Sequence, residues 1–166
     1  MSAFNGEGYG GLSRDAFYFI GGILKHGVAL NAFCNPSTNS CKRLVPLVAS
    51  LPAYSYGTLN RKIAIRIPQI GDTGEARLEI RFPDSTANPY LCMAAVIMAG
   101  QDGIENSIDP GGLFDPKQTG AAINSALGQG GRLASSLNEA LAALNEDRMF
   151  LPKGDVSPTV SSMLIL

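Results

Sequence analysis

The chain has 166 residues, of which 45% are hydrophobic and 16% are charged, and its formal net charge is -1. This length and composition support one globular domain and exclude a disordered chain. Because neither end carries a block of Lys or Arg, we expect no nucleic-acid partner. The longest apolar run, residues 91–99, is far short of the roughly 20 residues that cross a bilayer, and no signal pattern opens the chain. We therefore expect a cytoplasmic protein without a membrane partner.

The first predicted element is a helix. It follows a glycine-rich opening, residues 1–11, which we interpret as irregular. Apolar residues then recur at helical spacing over residues 13–33, with Ser13 as the expected N-cap. Gly21 and Gly22 lower the intrinsic stability of this helix, which indicates that they allow close packing.

Two runs of alternating residues predict a pair of strands, and residues 47–57 before them are predicted to be a loop. The runs "KIAIRIP" and "ARLEIRF" each place apolar side chains on one face and charged or small side chains on the other. We expect them to form an antiparallel hairpin across residues 71–74. The predicted core face consists of Ile63, Ile65, Ile67, Leu78, Ile80 and Phe82.

A second helix is predicted over residues 88–102, with Asn88 as the cap and Pro89 at the first helical position. Since this helix is apolar on nearly all sides, we expect it to be buried. Residues 105–131 read as a long loop punctuated by glycine.

The last predicted helix covers residues 134–147. Ser136 and Glu139 have the spacing of a capping box, and the amphipathic pattern that follows predicts a partner surface. We expect that partner to be the apolar helix before the long loop.

Cysteine and histidine give no metal signature. Cys34, Cys41 and Cys92 lack CxxC or Cys/His metal spacing, which favours reduced thiols, buried or half-buried. The single histidine, His26, is expected to have a structural role.

Charged residues gather on and near the polar face of the predicted hairpin. Arginine forks match carboxylate and phosphate oxygens, and a carboxylate beside phosphate is a usual ligand for Mg²⁺. The pattern alone leaves open whether these residues bind an anionic substrate or simply pair with one another on a solvent-facing strand. We call the following set the charged cluster: Arg43, Arg61, Arg66, Arg77, Glu79 and Arg81.

Five stretches of the chain carry a family resemblance: "GGILKHGVAL", "NPSTNSCKRLVP", "NRKIAIRIP", "RLEIRFPDSTANPYL" and "AAVIMAGQDGIENSIDPG". In this order and spacing they resemble the later part of the catalytic domain of bacterial type I glutamine synthetases, over residues 4–154. The resemblance implies ATP-dependent formation of glutamine from glutamate and ammonia through γ-glutamyl phosphate. It also implies Mg²⁺ or Mn²⁺ as a cofactor and a homo-oligomeric ring in the full-length family.

The same resemblance implies a role for each member of the charged cluster. Glu79 matches a ligand of the divalent metal, and Arg43 and Arg81 match arginines that bind glutamate. Three arginines match the ATP phosphate region, and the first of them also matches a catalytic position: Arg61, Arg66 and Arg77.

The chain departs from the family pattern at several positions. Ala49 stands where the family has a flap glutamate that shields the intermediate and helps to deprotonate ammonium, either by divergence or through a local sequence error. Its loss predicts an ammonia step slowed by about 10²- to 10⁴-fold. Gly74 lies near a nucleotide-contacting lysine of many relatives. The tyrosine that some relatives adenylylate has no counterpart, because no tyrosine follows Tyr90.

By resemblance, residues 1–166 are a partial catalytic domain without the β-grasp domain and the first part of the catalytic domain. The expected fold is α+β, an antiparallel sheet that forms part of the catalytic barrel and is backed by helices. Because Mg²⁺ takes about six oxygen ligands, we expect the isolated chain to be inactive. Two alternatives remain open: a γ-glutamyl ligase that uses an amine in place of ammonia, and a non-catalytic glutamine-synthetase-like assembly partner.

Overall fold

The computed structural model describes residues 3–40, 42, 55–58, 63–68, 74–113 and 133–154. Within these residues the chain forms helices and a small mixed sheet, as expected for an α+β fold. The helices are α1 (Arg14–Lys25), α2 (Gly27–Cys34), α3 (Pro89–Glu105) and α4 (Leu137–Glu146), and the strands are β1 (Tyr56–Thr58), β2 (Ile65–Ile67) and β3 (Glu79–Ile80). Single 3-10 turns lie at Tyr9–Gly11 and Leu151–Gly154.

The predicted first helix starts where expected but is two helices. Ser13 caps α1, since its Oγ accepts a hydrogen bond from the backbone N–H of Ala16 at 3.2 Å. The helix is interrupted at His26, whose backbone leaves the helical region with φ -90° and ψ 10°. The expectation of one continuous helix was therefore wrong. No single described helix is long and apolar enough to cross a bilayer; α1 and α2 meet that criterion only jointly, as a pair bent by 78°.

Glycines allow α1 to pack directly on α3, as predicted. A Cβ on Gly22 would lie 2.0 Å from the carbonyl oxygen of Ala99 and 2.7 Å from the backbone nitrogen of Gly103. A Cβ on Gly21 would likewise lie 2.0 Å from the carbonyl oxygen of Ile108, just after α3. Any side chain at these positions would push the two backbones apart.

The sheet has the order β1-β2-β3. The predicted antiparallel pairing of β2 with β3 is confirmed, with Arg66 opposite Glu79 and Ile65 opposite Ile80. β1 was missed, because residues 47–57 were predicted to be a loop, and it pairs with β2 in the parallel direction. The sheet is therefore mixed rather than antiparallel. A long-range bond fixes β1, since the hydroxyl of the buried Tyr56 donates to the carbonyl of Gly111 at 2.9 Å.

Four of the six residues predicted for the core face of the strands are buried, and the other two, Leu78 and Ile80, are partly buried. Ile63, Ile65 and Ile67 are buried, as is Phe82 after β3. Ile65, Ile67 and Phe82 join one hydrophobic cluster with the buried faces of α1, α2 and α3, and the two partly buried residues pack against it. The polar faces of β2 and β3 are therefore the faces available for a site.

Helix α3 begins as predicted, because Asn88 Oδ1 accepts from the backbone N–H groups of Tyr90 and Leu91. The expectation that it is buried all round was wrong. One stripe is exposed: Tyr90 by 79%, Met93 by 56% and Ile97 by 57%.

Helix α4 is capped at Ser136, whose Oγ accepts from the backbone N–H of Glu139 at 3.2 Å. Glu139 in turn accepts from the backbone and hydroxyl of Ser135, one residue before the cap. The predicted packing of α4 on α3 was wrong, because α4 packs mainly on α2. Asp147, the C-cap that follows α4, pairs with His26 at the start of α2 and so fixes this arrangement.

Candidate functional site

The candidate site lies on the polar face of the β2–β3 pair. Arg66 is flanked in β2 by the buried Ile65 and Ile67, so its side chain points to the opposite face of the sheet. Its cross-strand partner is Glu79. The alternation that buries isoleucine in the core thus presents opposite charges side by side on the other face.

Glu79 is held between two arginines. Arg66 Nη1 donates to Glu79 Oε2 at 2.5 Å, and Arg81 Nη1 donates to Glu79 Oε1. All three side chains are about one-third exposed. The hydrogen bond from Arg66, with that from Arg81, holds the pKa of Glu79 below its usual value, although partial burial acts in the opposite direction. Glu79 therefore stays ionised, and the three residues carry a net positive charge.

Arg66 has spare capacity for an anion. Its Nε is buried and has no hydrogen-bond partner among the described residues. An arginine presents five N–H donors, and a buried donor without a partner is costly. The unused donor and the net positive charge both favour a ligand that brings oxygen atoms, such as a phosphate or a carboxylate.

The remaining members of the charged cluster are not part of this described group. Arg77 lies two residues before Glu79 but is exposed, and it forms no ion pair with a described residue. Arg43 and Arg61 lie outside the described residues, as does Ala49 of the flap position. Gly74 is described and has φ +65°, with open space where a Cβ would lie.

The described residues do not form a metal site by themselves. In that part of the chain, no three His, Cys, Asp or Glu side chains group closely enough to hold a metal ion. Glu79 supplies one carboxylate, and both of its oxygens already accept hydrogen bonds from arginine. A hard divalent cation needs several more oxygen ligands than this.

Sequence reasoning missed a polar cleft of about 440 Å³ that lies between residues 37–40 and residues 83–86. Its wall is a chain of hydrogen bonds in which Ser37 contacts Ser40, Ser40 contacts Thr86, and Thr86 donates to Asp84. The signal was present as two turn-rich runs, "NPSTNS" and "PDSTAN". The second run directly follows Phe82, so the cleft adjoins the chain segment that carries Arg81.

His26 lies outside the candidate site, in agreement with the structural role predicted for it. Its ring is 3% exposed and stacks on Phe150, with ring centroids 4.4 Å apart. Nδ1 lies 2.7 Å from an oxygen of Asp147, and Nε2 lies 3.0 Å from an oxygen of Asp102. The histidine thus links the bend between α1 and α2 to α3 and to the end of α4.

The predicted buried thiols are confirmed for two of the three cysteines. Cys34 and Cys92 are free and buried, whereas Cys41 lies outside the described residues.

Comparison with known proteins places the chain in a family. The profile of the family described as Glutamine synthetase, catalytic domain, matches residues 2–155. The chain is 50% identical over 161 residues to a glutamine synthetase of Pseudomonas aeruginosa, and the match covers 93% of this chain and 33% of that protein. It is 48% identical over 159 residues to a glutamine synthetase of Methylococcus capsulatus, with coverages of 92% and 32%.

Solved structures give the same result for the fold. A ligand-free structure of GmaS has a TM-score of 0.73 and 39% identity, covering 92% of this chain and 33% of that one. A cryo-EM structure of the Plasmodium falciparum glutamine synthetase has a TM-score of 0.72 and 28% identity, covering 97% and 39%.

The family match and the α+β fold therefore define part of a catalytic domain. The chain belongs to the glutamine synthetase catalytic domain family. It spans about a third of the length of the curated relatives that it matches.

Proposed function

We propose that this chain forms one wall of a glutamine synthetase active site, in which glutamine is made from glutamate, ammonia and ATP through γ-glutamyl phosphate. The observation that carries the proposal is Glu79 held between Arg66 and Arg81 on an exposed sheet face. The whole reaction also needs residues beyond this chain, because the curated relatives are about three times as long.

The arginines suit the charge that this reaction develops. Phosphoryl transfer depends on positioning and on stabilising charge spread over the phosphoryl oxygens. We assign Arg66 to the phosphates of ATP, supported by its buried Nε donor without a described partner. Arg61 and Arg77 are proposed for the same phosphates, with Arg61 acting on the transferred group, by family resemblance alone.

Arg81 is proposed to bind the carboxylate of glutamate, together with Arg43. In the described structure Arg81 donates to Glu79 from Nη1, which leaves its other guanidinium donors for a substrate carboxylate. A guanidinium group that is held on one side by the carboxylate of Glu79 is already oriented to bind a substrate carboxylate on its other side.

Glu79 is proposed as one ligand of a divalent metal, Mg²⁺ or Mn²⁺, which would neutralise phosphate charge when bound. The described part of the chain supplies too few oxygens for a complete metal site. We therefore propose that the other ligands come from ATP and from the part of the relatives that this chain does not match. The ring assembly of the family is proposed on the same basis.

The proposal is tested by titrating the full chain with ATP, with and without Mg²⁺, in a calorimeter. We expect saturable binding that Arg66→Ala weakens by about tenfold or more, since a charged hydrogen bond is worth about 1.5–3 kcal/mol. Arg14→Ala is the matched control, because Arg14 lies on α1 and contacts Tyr18 instead. Equal weakening by both substitutions, or by neither, would contradict a role for Arg66 in the phosphate site.

A further inference from the structure

Two cysteines from distant parts of the chain lie in direct contact. Cys34 is the last residue of α2 and Cys92 lies in the first turn of α3, 58 positions further on. Their Sγ atoms are 3.3 Å apart. A disulfide bond is about 2.05 Å long, so bond formation needs an approach of little more than about 1 Å.

The surroundings favour a pair that reacts in a fixed order. Cys92 lies in the first turn of α3, where the positive end of the helix dipole stabilises a thiolate. A hydrogen bond from Cys34 lowers the pKa of Cys92, although burial and the charge of Asp84 act against this. Cys34 is the more buried thiol, and its hydrogen bond with Cys92, together with burial, raises its pKa. Because it lies in the first turn of α3 and is the less buried of the two, Cys92 is the expected nucleophile and Cys34 the second sulfur.

The pair is also tied to the chain segment that carries the candidate site. The carbonyl of Cys34 accepts a hydrogen bond from the backbone N–H of Asp84 at 3.0 Å. The side-chain amide of the next residue, Asn35, donates to the carbonyl of Phe82 at 2.8 Å. Both contacts hold residues that follow Arg81 by one to three positions, so two hydrogen bonds connect the neighbourhood of the cysteine pair to the segment that carries Arg81.

We propose that Cys34 and Cys92 are an oxidative modification site that forms an intramolecular disulfide when hydrogen peroxide reaches the chain. The Cys92 thiolate attacks one peroxide oxygen, the O–O bond breaks, and the departing hydroxide takes the proton that the Cys92 thiol released, which forms water. The Cys34 sulfur then attacks the Cys92 sulfenic acid, the S–O bond breaks, and the departing hydroxide takes the Cys34 proton. Two thiols and one peroxide give one disulfide and two waters.

The test is peptide mapping by mass spectrometry of the full chain after brief peroxide treatment, followed by alkylation and digestion without reductant. The expected product is a Cys34–Cys92 linked peptide that a dithiol reductant separates. The Cys41→Ser variant should give the same product at the same rate. A mixture of pairings that includes Cys41, or links between molecules in place of this peptide, would overturn the proposal.

The unfolded chain is the matched control. Cys34 and Cys41 are only seven positions apart, so loop closure in denaturant favours that pairing over Cys34–Cys92. The ratio of Cys34–Cys92 to Cys34–Cys41 peptides should therefore rise at least about tenfold from the denatured to the native chain. An unchanged ratio would mean that the fold does not direct the pairing.

Single variants test the order of the steps. In Cys34→Ser, Cys92 should stop as a sulfenic acid that dimedone traps, whereas in Cys92→Ser the trapping at Cys34 should fall at least about tenfold. Equal trapping in the two variants would contradict the assigned order. Circular dichroism of both variants establishes that each is folded before the comparison is made.

Discussion

At the scale of single residues, the arginines of the candidate site and the proposed metal ion compete for the carboxylate of Glu79. Its carboxylate accepts hydrogen bonds from both Arg66 and Arg81 in the described structure, and the proposed function requires the same carboxylate to face a metal ion. Removing the charge of Glu79 should therefore affect anion binding and metal binding in opposite directions.

The substitution Glu79→Gln should raise the affinity of the chain for ATP without metal by about three- to tenfold, because two guanidinium groups lose their anionic partner. It should also abolish the further gain in affinity that Mg²⁺ gives the wild type. Calorimetric titrations with and without Mg²⁺ measure both effects. A Glu79→Gln chain that responds to Mg²⁺ as the wild type does would exclude Glu79 as a metal ligand.

The environment of Asp102 also leads to a prediction, which concerns the pH dependence of stability. Burial by itself raises the pKa of this carboxyl, but the hydrogen bond from His26 and the nearby charge of Lys25 outweigh burial and hold the pKa below its usual value. A carboxyl with a lowered folded pKa stabilises the fold above its unfolded pKa, and this stabilisation is lost as the pH falls through the folded value.

The substitution Asp102→Asn should lower the free energy of unfolding by about 1–3 kcal/mol at neutral pH. The difference in free energy of unfolding between the variant and the wild type should be largest above about pH 4 and should shrink as the pH falls further. Urea denaturation across this pH range measures it. Glu146→Gln removes one exposed carboxylate from the end of α4 and should change stability little. A difference that grows towards acid pH would contradict the assigned linkage.

At the scale of elements, the contact of α1 with α3 depends on glycines, which let the two backbones touch without side chains between them. Gly22 and Gly103 face each other across it, and no side chain fits between them. This contact supports the sheet from behind, since the buried faces of both helices and of β2 share one hydrophobic cluster.

The substitution Gly22→Ala should destabilise the chain by about 1–3 kcal/mol or more, despite the better helix propensity of alanine, because the new Cβ meets backbone atoms that cannot rotate away. Gly74→Ala is the control: its Cβ enters open space, and only the left-handed backbone, with φ +65°, costs about 1 kcal/mol. Urea unfolding compares the two. A smaller loss for Gly22→Ala than for Gly74→Ala would show that the helices separate easily.

At the scale of the whole molecule, the sequence pattern predicted the features that depend on residues close together in the chain. The caps at Ser13, Asn88 and Ser136 and the pairing of β2 with β3 follow from local spacing, and all four are confirmed. The ion pairs of Glu79 with two arginines follow from the same alternation once the register is fixed.

Features that rest on distant partners were not predictable in this way. The break between α1 and α2 occurs at His26, which contacts residues 76 and 121 positions away. β1 is anchored through Tyr56 to Gly111, 55 positions away, and nothing in the periodicity around Tyr56 indicates that bond. The contact of Cys34 with Cys92 likewise becomes visible only when α2 and α3 meet.

The central claim is that this chain is one wall of a glutamine synthetase active site. It is tested most directly by replacing the matching segment of the Pseudomonas aeruginosa glutamine synthetase with this chain and measuring glutamine formation from glutamate, ammonia and ATP. We predict activity that Ala49→Glu raises by about 10²- to 10⁴-fold and that Arg66→Ala lowers by about 10²-fold or more. A folded, assembled chimera that forms no glutamine even with Ala49→Glu, or one that Arg66→Ala leaves fully active, would contradict the account.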